Sequence, residues 1–297
     1  MSNLVFTTGG FSSGSTLLFT LMRKTGEYHC LYEPLHERLR EHLHAGLRVY
    51  EHHYHVDNYF AEYRGFTEID RLLDPRFGSS RLALSVGDED PELYRYLSYL
   101  IGSGFARRPK VLLKFNRASF RLGWLRAAFP KAKVVHIYRD CESQWNSTVR
   151  RTQVYLGRKD VGQEGVAFNG MNIATWCDDL AATYPELDAA RSQTGYERFS
   201  TLWALSLRES TRHADLTVRF EDLTQDYESV CGRIWETIGC TADYRPLKQW
   251  VVRSEQRAPL QERSNGVLAR LDRAAVRLRF EWAKFRVRMR SRQGGTK

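Results

Sequence analysis

The stretch "TTGGFSSGSTLLFTLM", residues 7–22, directly follows the apolar run "NLVF" at 3–6. An apolar run, a glycine-rich turn and an amphipathic segment in that order predict a buried strand over 3–8, a tight loop, and a helix over 14–24. A helix start offers unpaired N–H groups and the positive end of its dipole to an anion. Gly9, Gly10 and Gly14 allow positive φ and close backbone approach, while Ser12, Ser13, Ser15 and Thr16 add hydroxyl donors. The spacing of Gly9 and Gly14 fits the nucleoside-triphosphate loop GxxxxGK[ST], but Ser15 stands where that loop has its lysine. A γ-phosphoryl transfer would lack its main side-chain cation, so a kinase is the weaker reading.

The chain of 297 residues, 42% hydrophobic and 12% aromatic, is long enough for one large domain with a substantial core. No run approaches the ~18–20 apolar residues that span a bilayer, and the start lacks the pattern of a secretory signal. Cys30, Cys141, Cys177, Cys231 and Cys240 are scattered and odd in number, as expected of reduced thiols in the cytoplasm. The net charge of +10 is uneven: residues 267–292 hold nine Arg/Lys against Asp272 and Glu281. The remainder is close to neutral, which argues against a nucleic-acid groove.

Further apolar runs predict strands at "KVLLKFN" (110–116), "AKVVHIY" (132–138) and "LTVRFE" (216–221). Helices are expected at "PELYRYLSYLIG" (91–102), in "FRLGWLRAAFP" up to Pro130, from 142, over 196–210, and over 226–239 with Gly239 as the stop. Strands alternating with helices imply parallel βαβ units, hence a three-layer α/β/α fold with a central parallel sheet, P-loop NTPase-like.

A second corner complements the first. "VVHIYRDCESQWNSTVRR" is a strand ending in Arg139, with Ser147 eight residues on in the next helix. Arginine supplies a planar fork for a phosphate, and a serine two helical turns away can close on the same group. A strand–[xPKSGTTxL]–helix followed ~120 residues later by a strand–RxPxxxxxS–helix resembles the sulfotransferases that use 3′-phosphoadenosine 5′-phosphosulfate (PAPS). "LTVRFEDLTQDYESVCGRIWETIG" and "VLLKFNRASFRLGWLRAAFPKAKVVHIYRD" resemble two further segments of that family, so the likeness covers most of residues 3–240 in order. It implies the sulfotransferase fold and PAPS as donor. The 5′-phosphosulfate would lie on Ser12, Ser13, Gly14, Ser15, Thr16 and Leu17, and the 3′-phosphate on Arg139 and Ser147. Arg263, in "RSNG", and Trp203 fall where the family often adds donor contacts, although Trp203 also fits a core position.

The chain departs from that pattern where Ser12 replaces a basic residue and Cys141 a proline. Lys114, at the end of its strand, is the candidate to neutralise the leaving phosphate, with a solvated lysine as the alternative. Cytosolic members place a histidine base where this chain has Asn116; bacterial and Golgi-type members use a glutamate, often in an "EP" pair. Here "CLYEPLH" carries Glu33 before Pro34, and proline is expected to hold Glu33 extended. Glu33 is the expected base, with His36 as runner-up. His52, His53 and His55 fit an acceptor pocket or the surface better than a metal site.

The expected organisation is a sulfotransferase domain over 1–266 and a basic amphipathic helix and tail over 267–297. The spacing of Leu268, Leu271, Ala275, Leu278 and Trp282 predicts a helix that packs on the domain or a dimer partner, or docks on an anionic membrane. The acceptor is expected to be a small molecule or saccharide, its pocket drawn from segments such as 36–80 and 152–195. Two rivals stay open: a nucleotide-dependent kinase, and a non-catalytic relative that keeps nucleotide binding.

Overall fold

Strand β1 (Leu4–Thr8) is buried at every position, and its place explains why. It lies in the middle of a five-stranded sheet, hydrogen-bonded on one side to β3 (Lys110–Phe115) and on the other to β4 (Lys133–Tyr138). A strand covered on both faces needs a continuous apolar run rather than alternation. β2 (Tyr28–Tyr32) and β7 (Leu216–Arg219) form the two edges, giving the order β2-β3-β1-β4-β7 with every pair parallel. The computed structural model describes residues 3–44, 58–156, 167–168, 171–189 and 194–255. Arg263, the histidines at 52, 53 and 55, and the basic segment 267–297 lie outside them.

Right-handed crossovers then assign the helices to faces. The first helix, α1 (Ser15–Lys24), connects β1 to β2 and packs on β1, β2 and β4. After the short helices α2 (Leu39–His44) and α3 (Ile69–Leu72), α4 (Pro91–Phe105) returns the chain to β3 in the opposite direction and so takes the other face. There it is followed by α5 (Leu122–Ala128), which leads to β4. Between β4 and β7 the chain makes α6 (Cys141–Leu156), a small hairpin of β5 (Ala167–Phe168) and β6 (Met171–Asn172), then α7 (Ile173–Ala181), α8 (Pro185–Ala189) and α9 (Gly195–His213). Beyond β7, α10 (Phe220–Gln225) leads to α11 (Tyr227–Ile238), which packs on β4 and β7, and to α12 (Lys248–Glu255) against α1.

Local chemistry sets the boundaries. Asp90 accepts the Leu93 N–H at 3.0 Å and Pro91 opens α4, a cap worth about 1 kcal/mol. Thr194 and Glu197 form a reciprocal capping box on α9. Gly239, at φ 65°, ends α11 as its sequence position predicts. The three-layer α/β/α architecture expected from the alternation is present; the edge strand β2 and helices α7, α8 and α12 had no strong sequence signal.

Arg121 is 1% exposed and donates to the carbonyls of Phe77, Ser80 and Arg81. It ties the segment before α4 to the start of α5. Arg121→Met should destabilise the fold by about 3 kcal/mol, because several buried carbonyls lose their donor; urea denaturation measures it. Burial also drives five histidine values down: His29 and His42 to about 4, His136 to about 3, His36 well below its ordinary value, and His213 below it. The unfolded chain takes up these protons near pH 6.5 while the folded one does not, so stability present above that pH falls as the pH drops. Thermal melting should decline from pH 6.5 to 4, and His136→Gln should make the decline shallower.

Candidate active site

The loop from Gly9 to Gly14 leaves the C-terminal end of the central strand, where the chain order reverses between β3 and β4. Ligands of open α/β sheets bind at such switch points. Gly14 has φ 93° and caps α1 with no side-chain hydrogen bond, so the first-turn N–H groups carried by Ser15, Thr16 and Leu17 have no side-chain cap. Ser12 has φ 60°. Gly9 and Gly10, expected to supply positive φ, are needed for close approach instead. A Cβ on Gly9 would lie 2.5 Å from the Ile137 carbonyl, and one on Gly10 2.8 Å from Gln144 Nε2. Ser13 is buried and its Oγ has no hydrogen-bond partner.

Beside the loop lies a buried ionic cluster. Lys114 is fully buried, and its Nζ donates to Glu33 Oε1 and, at 2.8 Å, to Asn116 Oδ1. Glu33 Oε2 accepts the Asn116 N–H at 3.1 Å and Arg117 at 3.4 Å. Arg117 also pairs with Glu37 at 2.8 Å, and Ser15 Oγ donates to Asn116 Oδ1 at 3.1 Å. The cluster therefore reaches the first residue of α1. Glu33 is not extended as the following proline implies; its φ is 47°. The Glu33 N–H to the Lys114 carbonyl and the three donors on its carboxylate hold this left-handed conformation, a strain of about 1–3 kcal/mol typical of functional sites. His36 is buried with its Nδ1 accepting the Arg38 N–H, and burial keeps it neutral.

The second corner faces the loop through one aromatic ring. A Cβ on Gly14 would come within 2.2 Å of Phe220 Cδ2, and the Arg139 guanidinium carbon sits 5.0 Å from the same ring's centroid. Residues 14 and 139, far apart in sequence, thus border Phe220 together. Arg139 is loosely paired with Glu221 at 3.8 Å and its buried Nε has no hydrogen bond. Its carbonyl accepts from Trp203 Nε1 at 3.1 Å. Ser147 lies half-buried on α6, the helix that starts two residues after Arg139.

The loop also lines a cavity, through Gly10 and Phe11, whose other walls include Phe120, Trp176, Phe199, Leu202 and Trp203. Gly10, Asn116 and Arg117 also line it and connect it to the ionic cluster. Among the described residues of the segments expected to supply an acceptor pocket, only Ile173 and Trp176 contribute to this cavity. Arg117, Glu37, Gln144 and Phe220 went unread in the sequence; only the adjacency of Arg117 to "LLKFN" hinted at one of them. Among the described residues no cluster of His, Cys, Asp or Glu could hold a metal ion, and no helix is long and apolar enough to cross a membrane.

The sequence model of the Sulfotransferase family matches residues 5–244. Two relatives, the omega-hydroxy-beta-dihydromenaquinone-9 sulfotransferases Stf3 of Mycobacterium bovis (strain ATCC BAA-935 / AF2122/97) and Mycobacterium tuberculosis (strain CDC 1551 / Oshkosh), are each 28% identical over 150 residues. The match covers 50% of this chain and spans about a third of those relatives' length, 32%. Among solved structures, a sulfotransferase domain from the curacin biosynthetic pathway aligns with TM-score 0.40 and 13% identity, over 82% of this chain and 76% of that one. The sulfotransferase of Alicyclobacillus acidocaldarius aligns with TM-score 0.41 and 15% identity, over 82% and 86%.

Removing one partner of a buried ion pair strands the other charge, at about 3–5 kcal/mol. Lys114→Met should therefore cost about that much in urea denaturation, and adding Glu33→Gln should recover part of the loss.

Proposed function

The chain belongs to the sulfotransferase family, and from that premise we propose that it moves a sulfuryl group from PAPS to a hydroxyl or amine of a small-molecule or saccharide acceptor. The observation that carries this reading is the meeting of Gly14 and Arg139 on Phe220. It brings an anion-binding helix start and an arginine to one sheet edge, as a nucleotide with phosphates at both ends requires.

The residues present fit such a donor. First-turn N–H groups of α1 and the unpartnered Ser13 Oγ are suited to the 5′-phosphosulfate. Arg139, whose Nε makes no hydrogen bond, and Ser147 are suited to the 3′-phosphate. PAPS supplies a sulfuryl group on a phosphate leaving group, and transfer forms an acceptor O–S or N–S bond as the S–O bond to that phosphate breaks. Glu33 takes the acceptor's proton; Lys114 offers its ammonium to the oxygen that gains charge. Lys114 and Arg117 both hold Glu33 at present. Anionic donor at the loop competes for these cations and so frees the carboxylate to act as base. His36 Nδ1 is engaged by the Arg38 N–H, which favours Glu33 for this role. The two relatives are named for a menaquinone-derived acceptor, in keeping with a small-molecule substrate.

Adenosine 3′,5′-bisphosphate should raise the melting temperature and ATP–Mg²⁺ should not; the reverse would favour a kinase. Arg139→Ala should weaken bisphosphate binding by about 10–100-fold. Glu33→Gln should bind it within a few-fold of wild type but lower transfer of radiolabelled sulfate by about 100-fold or more.

A further inference from the structure

The glycine loop carries no charge of its own. Residues 7–16, "TTGGFSSGST", hold no lysine or arginine, yet a group in transfer from a phosphate spreads negative charge over its equatorial oxygens and calls for a positioned cation. Two buried cations reach the loop from β3 and the turn after it. Lys114 approaches through Asn116, which accepts from Ser15 Oγ at 3.1 Å, so it stands on the side of the α1 N-terminus. Arg117 approaches at Phe11, its guanidinium carbon 5.5 Å from that ring's centroid, and lines the adjoining cavity beside Gly10 and Asn116.

The two cations are tied to Glu33 differently. Lys114 Nζ donates directly to Glu33 Oε1, whereas Arg117 Nη1 reaches Oε2 at 3.4 Å, near the limit of a hydrogen bond. Arg117 also has a second carboxylate, with its Nη2 2.8 Å from Glu37 Oε2. A buried charge stripped of its counter-ion is costly. Arg117 can give up Glu33 and remain neutralised by Glu37. Its planar fork carries five N–H donors, more than two carboxylate contacts consume, and its Nε makes no hydrogen bond.

We propose that Arg117 is a catalytic residue of the donor site: its guanidinium binds the sulfuryl oxygens of PAPS, supplying beside Phe11 the charge that the glycine loop lacks, and Glu37 positions it. This assignment rests on the sulfuryl-transfer reading and adds two residues to it. Arg117 turns from Glu33 to the sulfuryl oxygens when the donor enters, while Glu33 keeps Lys114 and the Asn116 N–H. With one cation fewer, the carboxylate is a better proton acceptor. Glu33 takes the acceptor's proton as the S–O bond to the 5′-phosphate breaks and the acceptor O–S or N–S bond forms. Arg117 holds the oxygens of the moving group throughout.

PAPS and adenosine 3′,5′-bisphosphate differ by the sulfuryl group, so isothermal titration of the full chain with each nucleotide isolates the contact. Arg117→Met/Glu37→Gln removes the pair together and keeps the cluster's charge in balance. It should weaken PAPS by about tenfold or more and the bisphosphate by no more than about threefold. Arg117→Lys, which keeps the charge without the fork, should fall between wild type and the double variant for PAPS. Glu37→Gln alone, which leaves Arg117 to Glu33, should weaken PAPS by about threefold or more and spare the bisphosphate. Melting temperatures of the same samples report folding, and Arg117→Lys carries the comparison if the double variant melts below the assay temperature. A folded Arg117 variant that binds PAPS like wild type, or weakens both nucleotides equally, would overturn the proposal; wild-type PAPS binding by Glu37→Gln would remove Glu37 from it. Wild type that binds neither nucleotide would instead remove the sulfuryl-transfer reading, and this assignment with it.

Discussion

A fully buried ammonium on an interior strand is the constraint around which the site is organised. Lys114 cannot remain charged there without a carboxylate, because desolvating an isolated ion costs far more than the fold's net stability. Glu33 supplies that carboxylate from the end of the neighbouring strand, at the expense of a left-handed backbone. Asn116 then joins the pair to Ser15 on α1. The ends of β2 and β3 and the start of α1 are in this way held by one charge network, and the loop cannot shift without disturbing it. Arg117 and Glu37 extend the same network to the cavity wall.

The order of the strands does the rest. Because β1 lies between β3 and β4, the segments leaving these three strands emerge side by side. The glycine loop meets Phe220 at Gly14, where Arg139 borders the same ring, and lines the aromatic cavity at Gly10 and Phe11. The ionic cluster adjoins both. Such an arrangement, with a carboxylate and a cation between the two regions, suits the two-substrate transfer proposed above.

The parts legible in the sequence were those with local causes. β1, β3 and β4 are interior strands and appear as mainly apolar runs, and Gly239 and Pro91 mark helix ends by backbone chemistry alone. β2 escaped notice because "YHCLY" mixes polar and apolar residues, although even His29 is buried in it. The identities of Glu33 and Lys114 stood out through neighbouring motif residues, but their pairing depends on the register of Tyr32 beside Lys114. The left-handed Glu33 was illegible, since the residue before a proline is ordinarily extended. Arg117 looked like any surface arginine, and Phe220 like any strand-end aromatic. Each acquires its meaning only from a residue some eighty or two hundred positions away.

Trp203 belongs to both compartments. Its ring borders the cavity while its indole N–H holds the Arg139 carbonyl. A guest that displaces this indole changes the free energy of the Arg139 corner, and reciprocity requires a ligand gripping Arg139 to change the guest's affinity by the same factor. If ligands occupy both places, this one side chain is the contact through which each would register the other.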